Sequence, residues 1–309
     1  MVFIRKAKEL KATVLGSSCS TPTKDRNLSA ININFNGLNY LFDCPEGTQR
    51  QMMKAKVSYM KVHAIFLSHF HGDHILGLPG LIATMSMHQR DSPLFIFGPK
   101  GVKEKVKKAI ELSLLKVNFE LKAIEVREGV LLNEENFIVS AVRLNHDIPC
   151  YGYIFKERDS QGKFLREKAQ ALGIPEGPLW GELQKGKTIE FKGRRIKPEQ
   201  VLDSKNKKIG KKIAVICDTL PSSHYVKAIE HSDLLFHESS FLEEMKKRAK
   251  HTFHCTAMQA AGIAEKAKVK KLVLFHLSPR HKDPRKFETE ARQVFANSIV
   301  SEDLMEFEL

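Results

Sequence analysis

The sequence of 309 residues lacks paired Cys-x-x-Cys motifs, long apolar runs and an N-terminal secretion signal. No stretch approaches the apolar length that a bilayer requires, and residues 1–15 mix Lys and Glu among their apolar positions. The five cysteines are an odd number without redox-type or metal-type spacing. These absences argue against a membrane-spanning or disulfide-stabilised secreted protein and predict a reduced, cytoplasmic one with its cysteines in the core.

Acidic residues are also scarce relative to basic ones. Lys and Arg number 50 against 36 Asp and Glu, which gives a net charge of +14 and a pI near 9.5. With 42% hydrophobic and 28% charged residues, the composition is that of a globular protein with a substantial core. The positive charge favours a polyanionic partner, with nucleic acid ahead of a membrane surface.

Short strand patterns alternate with helical patterns over most of the chain, which predicts an α/β fold. The predicted strands include residues 31–35, 40–42, 94–97, 137–144, 213–216, 234–236 and 272–275, and Asn36-Gly37 predicts a hairpin turn. Helices are predicted over residues 46–55, 75–87, 102–115, 257–267 and 285–296.

This alternation fades between about residues 156 and 212. The segment holds sixteen Lys and Arg against eight Asp and Glu, and its Gly and Pro cluster at residues 173–178. A linker or a disordered stretch would have a similar composition, but a small apolar nucleus remains at Leu172, Ile174, Leu179, Trp180 and Leu183. We interpret residues 156–212 as a flexible basic arm, extruded from one domain that spans residues 1–309.

Four potential metal ligands lie within six residues, directly after an apolar strand pattern: His69, His71, Asp73 and His74. Residues two apart in a strand face the same side, so His69 and His71 can reach one ion. Asp73 and His74, beyond the Gly72 turn, can reach a second. Imidazoles and carboxylates suit zinc, and paired metals hydrolyse phosphodiesters or activated carbonyls. The alternative is a solvated His-rich loop, which would not place this spacing at a strand end.

Three more candidate ligands each follow a predicted strand: His146, Asp218 and His276. Residues at strand ends converge at one rim of a sheet. Taken singly, each fits a capping or surface residue; with the first motif, they predict metal ligands. Glu238 and His254 fit the same pattern, because a His beside a carboxylate can donate a proton to a leaving oxygen. A helix-capping Glu and a surface His are the alternative for this pair.

These motifs resemble the ribonuclease Z family, the tRNA 3′-processing endonucleases of the metallo-β-lactamase superfamily. The similarity runs over nearly the whole chain and includes residues 15–18, 42–49, 68–74, 237–241 and 254–257. The His-x-His-x-Asp-His element alone marks only the superfamily. The motifs around Glu238 and His254, with the arm that carries Gly177-Pro178, narrow the resemblance to ribonuclease Z.

The resemblance implies a four-layer αβ/βα sandwich, with the metals at one edge of two facing sheets, and commonly a homodimer. One zinc ion would be held by His69, His71 and His146. The second would be held by Asp73, His74 and His276, with Asp218 bridging the two; manganese or cobalt fits the same ligands. Asp73 would also accept a proton from the attacking water, and His254, oriented by Glu238, would act at the leaving oxygen.

The implied activity is hydrolytic removal of 3′ trailers from precursor tRNA, which leaves a 3′-hydroxyl on the tRNA and a 5′-phosphate on the trailer. The basic arm would bind phosphates of the tRNA elbow. Another hydrolase of the superfamily, such as a small-molecule phosphodiesterase or thioesterase, is the alternative, followed by a non-catalytic RNA-binding subunit. Cys217 departs from the family, which often has Gly before the bridging Asp, and is expected to crowd or soften the site.

Overall fold

The computed structural model, which describes residues 10–112, 114, 116–203 and 207–309, contains two seven-stranded β-sheets. The first consists of β1 (Leu10–Gly16), β2 (Ala30–Phe35), β3 (Leu38–Phe42), β4 (Val62–Phe66), β5 (Leu94–Gly98), β6 (Leu121–Glu125) and β18 (Glu306–Glu308). Its strand order is β18-β1-β2-β3-β4-β5-β6, antiparallel from β18 to β3 and parallel from β3 to β6. The predicted Asn36-Gly37 turn joins β2 to β3, with positive φ at both residues.

The second sheet consists of β7 (Gly129–Asn133), β8 (Phe137–Leu144), β9 (Cys150–Glu157), β14 (Lys212–Ile216), β15 (Leu234–Glu238), β16 (Leu272–Phe275) and β17 (Ser298–Val300). Its strand order is β17-β16-β15-β14-β9-β8-β7, and the four strands from β14 to β17 are parallel. Because β14, β15 and β16 are parallel neighbours, the residues that follow them lie at one edge of the sheet.

Aromatic side chains join the two sheets face to face. Phe42 and Phe66 of the first sheet contact Tyr153 of the second, with ring centroids 5.9 and 5.3 Å apart. Tyr40 packs against Phe155 in the same way, at 5.4 Å. All five rings are buried, and each such pair contributes about 0.5–1.5 kcal/mol beyond the burial of its area.

Helices cover the outer face of each sheet, which completes four layers in the αβ/βα order that the resemblance implied. On the first sheet lie α1 (Thr48–Lys54), α3 (Leu78–Met87) and α4 (Val102–Leu112), and the short α2 (Gly72–Ile75) stands between α1 and α3 in the chain. On the second lie α7 (Val226–Ile229), α9 (Ala257–Lys266) and α10 (Arg285–Arg292), with α8 (Lys246–His251) preceding α9. Single 3₁₀ turns occupy Tyr59–Lys61, Pro198–Gln200 and Glu243–Met245. No helix in the described ranges is long and apolar enough to cross a membrane.

The predicted continuous helix over residues 75–87 is wrong, because α2 ends at Ile75 and α3 begins at Leu78. Gly77 donates its N–H to the Cys44 carbonyl oxygen at 2.9 Å. A Cβ at this glycine would lie 1.9 Å from the Pro45 carbonyl oxygen, so the close approach requires glycine. The close approach at Gly77 therefore packs the segment after β3, at Cys44 and Pro45, against the end of the segment that carries the first motif.

A smaller compact unit comprises Glu134–Phe137 and Lys156–Lys211, apart from the larger unit that contains most of the described chain. It contains α5 (Arg166–Ala171) and α6 (Pro178–Gln184), with the two-stranded pairs β10 (Lys163–Phe164) with β13 (Leu202–Asp203), and β11 (Ile189–Phe191) with β12 (Arg194–Ile196). Of the predicted apolar nucleus, Ile174, Trp180 and Leu183 are buried, and the Trp180 indole donates to the Ile174 carbonyl at 3.0 Å. Leu172 is instead exposed.

Candidate metal centre

The predicted ligands lie just beyond the carboxyl ends of strands in both sheets. In the second sheet, His146 follows β8, Asp218 follows β14 and His276 follows β16. In the first sheet, the motif from His69 to His74 follows β4. Strand ends of the two facing sheets thus bring together side chains that are up to about 200 residues apart in the sequence.

His69 and His71 lie in a loop, so the prediction that they share one face of a strand is wrong. Strand β4 already ends at Phe66, and the backbone continues in an extended conformation at His71. The two rings nevertheless converge, with His69 Nε2 3.0 Å from His71 Nδ1. His146 Nε2 lies 3.3 Å from the same His71 nitrogen, which brings the three imidazoles together.

Asp73, His74 and His276 form a second group beside the first. The Asp73 Oδ2 atom lies 3.6 Å from His74 Nε2 and 3.8 Å from His276 Nε2. It also accepts a hydrogen bond from the Ser20 backbone N–H at 2.8 Å. His276 has a positive φ of 57°, a conformation that non-glycine residues adopt only at a cost.

The Asp218 carboxylate lies between the two groups. Its Oδ2 atom is 3.6–3.9 Å from the Nε2 atoms of three histidines: His69, His74 and His146. Its Oδ1 atom is 3.2 Å from His276 Nε2. Burial favours the neutral acid, but the charges of His276 and His74 outweigh it and hold the pKa of Asp218 well below its usual range. Asp218 is therefore an ionised carboxylate within reach of both groups.

Four of the histidines hydrogen-bond through the ring nitrogen that points away from the cluster. These contacts are His69 Nδ1 with Ser68 Oγ at 2.9 Å, His74 Nδ1 with Asp43 Oδ2 at 2.8 Å, His146 Nδ1 with the Phe253 carbonyl at 3.2 Å, and His276 Nδ1 with Ser240 Oγ at 3.0 Å. Such outer partners fix the tautomer and orientation of histidines that bind metals. Asp43, Ser68 and Ser240 were not predicted as site residues; Asp43 alone has a sequence signal, because it follows β3.

The buried carboxylate of Asp43 has four hydrogen-bond partners. It accepts hydrogen bonds from the Ser68 N–H at 2.7 Å, the Ser68 hydroxyl at 2.8 Å and the Cys217 thiol at 3.2 Å, besides the contact with His74. Burial raises the pKa of the Cys217 thiol, so this group stays protonated and donates. Cys217 therefore faces Asp43 and forms part of the support of His74.

The buried Glu238 and the partly buried His254 form an ion pair, with His254 Nδ1 3.1 Å from Glu238 Oε1. The carboxylate also accepts backbone N–H bonds from Ser240 at 2.9 Å and Cys255 at 2.8 Å. Burial opposes a charge on His254, but Glu238 outweighs it and raises the pKa of His254 to about 9. His254 also lies within 4.8 Å of Asp218 and His276, so a cationic imidazole borders the ligand cluster.

The ligand set fits divalent cations on the chemistry of its own atoms. Among the described residues, His74 Nε2, Asp218 Oδ1 and His276 Nε2 are buried polar atoms without a hydrogen-bond partner. Each such atom costs about 1–3 kcal/mol unless something satisfies it. Burial lowers the pKa of His69 and His146, which favours the neutral imidazole that a metal requires. Imidazole with carboxylate is the donor set of zinc and related metals.

Comparisons with known proteins find one matching family model and full-length relatives named ribonuclease Z. The family model of the anti-Pycsar protein Apyc1 matches residues 10–158. The chain is 42% identical to ribonuclease Z of Methanosarcina acetivorans over 301 residues. The alignment covers 97% of this chain and 98% of that protein. It is 39% identical to ribonuclease Z of Nitrosopumilus maritimus, over 97% of this chain and 100% of that protein.

Solved structures give the same picture of the fold. The short form of human tRNase Z matches with a TM-score of 0.69 and 26% identity, over 96% of this chain and 98% of that one. The metallo-β-lactamase fold protein YhfI of Bacillus subtilis matches with a TM-score of 0.71 and 18% identity, over 98% and 100%. The second likeness concerns the fold alone.

Proposed function

The chain belongs to the ribonuclease Z family, and we propose that it hydrolyses the bond between precursor tRNA and its 3′ trailer with the help of two zinc ions. It is a tRNA 3′-processing endonuclease, and its products are a tRNA 3′-hydroxyl and a trailer 5′-phosphate. The observation that carries the proposal is the convergence of seven ligand residues, three of which leave buried polar atoms without hydrogen-bond partners.

In this proposal His69, His71 and His146 hold one zinc ion. Asp73, His74 and His276 hold the other, and Asp218 contributes to both. Five imidazoles against two carboxylates support zinc over harder cations, although manganese and cobalt fit the same atoms. When bound, two such ions supply Lewis acidity toward phosphate oxygens and lower the pKa of a water molecule.

The proton transfers are assigned to Asp73, which is itself one of these ligands, and to His254 beside them. Burial raises the pKa of Asp73, but the nearby His276 and His74 outweigh it and hold that pKa below its usual range. The ionised Asp73 accepts the proton of the attacking water as its oxygen bonds to phosphorus. His254, kept cationic by Glu238, donates a proton to the 3′-oxygen as the phosphorus–oxygen bond breaks.

We propose that the smaller unit binds phosphates of the tRNA elbow. The β11–β12 hairpin and its flank expose four cations without an ion-pair partner among the described residues: Lys192, Arg194, Arg195 and Lys197. Lys185 and Lys187 of the same unit are instead paired, with Glu135 at 3.5 Å and Glu182 at 2.7 Å. Unpaired surface cations are the groups that contact phosphates and make RNA binding depend on salt.

We propose a cytoplasmic homodimer, since all five cysteines are buried and unbridged and two large apolar side chains of the larger unit are exposed around one cavity. Met53 and Leu76 are each 62% exposed, and both line a cavity of about 410 Å³. Sedimentation analysis tests this: Met53→Glu with Leu76→Glu should yield monomers. A monomeric parent protein would overturn the dimer.

Incubation of the purified protein with a 3′-extended tRNA tests the function. We expect one cut at the 3′ side of the tRNA, a 3′-hydroxyl and a 5′-phosphate at the new ends, loss of cleavage with a chelator and recovery with zinc. Small phosphodiesters and thioesters are assayed in parallel. Efficient hydrolysis of one of these without cleavage of the tRNA would favour another hydrolase of the same superfamily.

A further inference from the structure

One candidate ligand differs from the other four histidines. His69, His74, His146 and His276 each have an outer ring nitrogen within 3.2 Å of an oxygen partner. His71 is turned the other way: its Nδ1 faces the cluster and its Nε2 points outward. The carboxylate nearest to this outer nitrogen is Asp147, whose Oδ2 lies 3.8 Å away.

Asp147 also contacts the cluster itself, through its other oxygen. Its Oδ1 atom lies 3.0 Å from His146 Nε2, the nitrogen that faces the ligands. The side chains of His71 and Asp147 are 41% and 47% exposed, whereas that of His146 is 3% exposed. A distance of 3.8 Å exceeds a hydrogen bond. Exposed side chains exchange rotamers within nanoseconds, however, so the gap between these two groups can close.

We propose that Asp147 is a positioning residue of the metal centre, which orients His71 through its outer nitrogen and adds negative charge beside His146. The inference rests on the proposed function only in requiring that the site bind cations. A carboxylate at this place repels an incoming phosphodiester, so its favourable partners are the imidazoles and the cations they hold. Loss of an outer partner of a metal-binding histidine typically weakens metal affinity about 10- to 100-fold.

Zinc affinity, measured without RNA by competition with a chromophoric chelator, tests the proposal. We expect Asp147→Ala to bind zinc about 10- to 100-fold more weakly than the parent protein, with an unchanged melting temperature when metal-free. The matched control is Glu128→Gln, because Glu128 is equally exposed at 47% and pairs at 3.1 Å with His224, which is not a candidate ligand. Equal zinc affinity in Asp147→Ala and the control would overturn the proposal.

Replacement of zinc by cobalt distinguishes an effect of Asp147 on the orientation of His71 from an effect of its charge alone. Asp147→Ala should change the visible absorption of bound cobalt, whereas Glu128→Gln should leave it unchanged. The loss of affinity should also persist at 1 M salt, where exposed charges are screened within about 3 Å. If it vanished there, the positioning role would be overturned.

The outcomes also separate this inference from the proposed function. A parent protein that neither binds zinc nor cuts tRNA would overturn both. A parent protein that binds zinc and cuts tRNA, with Asp147→Ala binding zinc as tightly, would overturn only the role of Asp147.

Discussion

The metal centre and the β11–β12 hairpin of the smaller unit use charged residues in opposite ways. In the candidate metal centre, the carboxylates of Asp218 and Glu238 are buried, and each lies within 3.2 Å of a histidine nitrogen. On the hairpin, Arg194 and Arg195 are exposed and have no ion-pair partner among the described residues. Fixed geometry suits a chemical step, while mobile surface charge suits phosphate binding. Substitutions in the two regions should therefore affect different kinetic constants.

Asp73→Ala is expected to show the largest effect. It removes the residue that we propose as both a metal ligand and the proton acceptor, so single-turnover cleavage of precursor tRNA should fall by at least about a thousandfold. The dissociation constant for tRNA should stay within about twofold, because binding depends on the basic surface. The control is Asp91→Ala, at an exposed aspartate outside the cluster. Unchanged cleavage in Asp73→Ala would contradict the chemistry.

Glu238→Gln should lower cleavage at neutral pH by about a hundredfold through His254. The groups that face His254 are Glu238, Asp218 and the imidazoles of His74, His146 and His276. With Glu238 present, His254 has a pKa of about 9, above the ordinary 6.5, so the cationic acid persists through neutral pH and is lost as pH rises through 9. Without that charge, burial lowers the pKa of His254, and activity should recover only as pH falls.

The pH–rate profile of Glu238→Gln checks this expectation. Glu243→Gln is the matched control, because it removes a carboxylate that accepts a hydrogen bond from Thr256 at 2.6 Å, at the start of α9. A basic limb that stays near pH 9 in Glu238→Gln would mean that Glu238 does not set the protonation of His254.

The double substitution Arg194→Ala with Arg195→Ala should weaken tRNA binding about tenfold and leave the cleavage rate of bound tRNA unchanged. Each lost phosphate contact also reduces the slope of log K against log salt by about 1, so the expected reduction is about 2. Lys185→Ala with Lys187→Ala is the matched control, because these cations are already paired within the unit. Equal effects of both pairs, or slower hydrolysis of a small phosphodiester, would remove the distinction between the two regions.

The clustering of the candidate ligands could be predicted from the sequence because these residues follow strands, and strand ends of one sheet share an edge. His146, Asp218 and His276 all follow strands whose carboxyl ends were predicted at the residues where the structure ends them. The outer partners Ser68 and Ser240 were missed, since only the folded chain brings their hydroxyl groups against ring nitrogens of the candidate ligands. The break between α2 and α3 was missed for a similar reason: it depends on Pro45, about thirty residues earlier.

Substitution of Cys217 should have the smallest effect. It tests how much a single buried donor near the candidate ligands contributes to stability. The sequence suggested that this residue would crowd the ligands, but its thiol donates to Asp43 at 3.2 Å. Cys217→Ala removes one of the four donors of Asp43, so the free energy of unfolding should fall by about 1 kcal/mol. Cys217→Ser keeps a donor and should lose less. Denaturant unfolding of the metal-free proteins measures both, and an Ala variant more stable than the parent would restore the crowding interpretation.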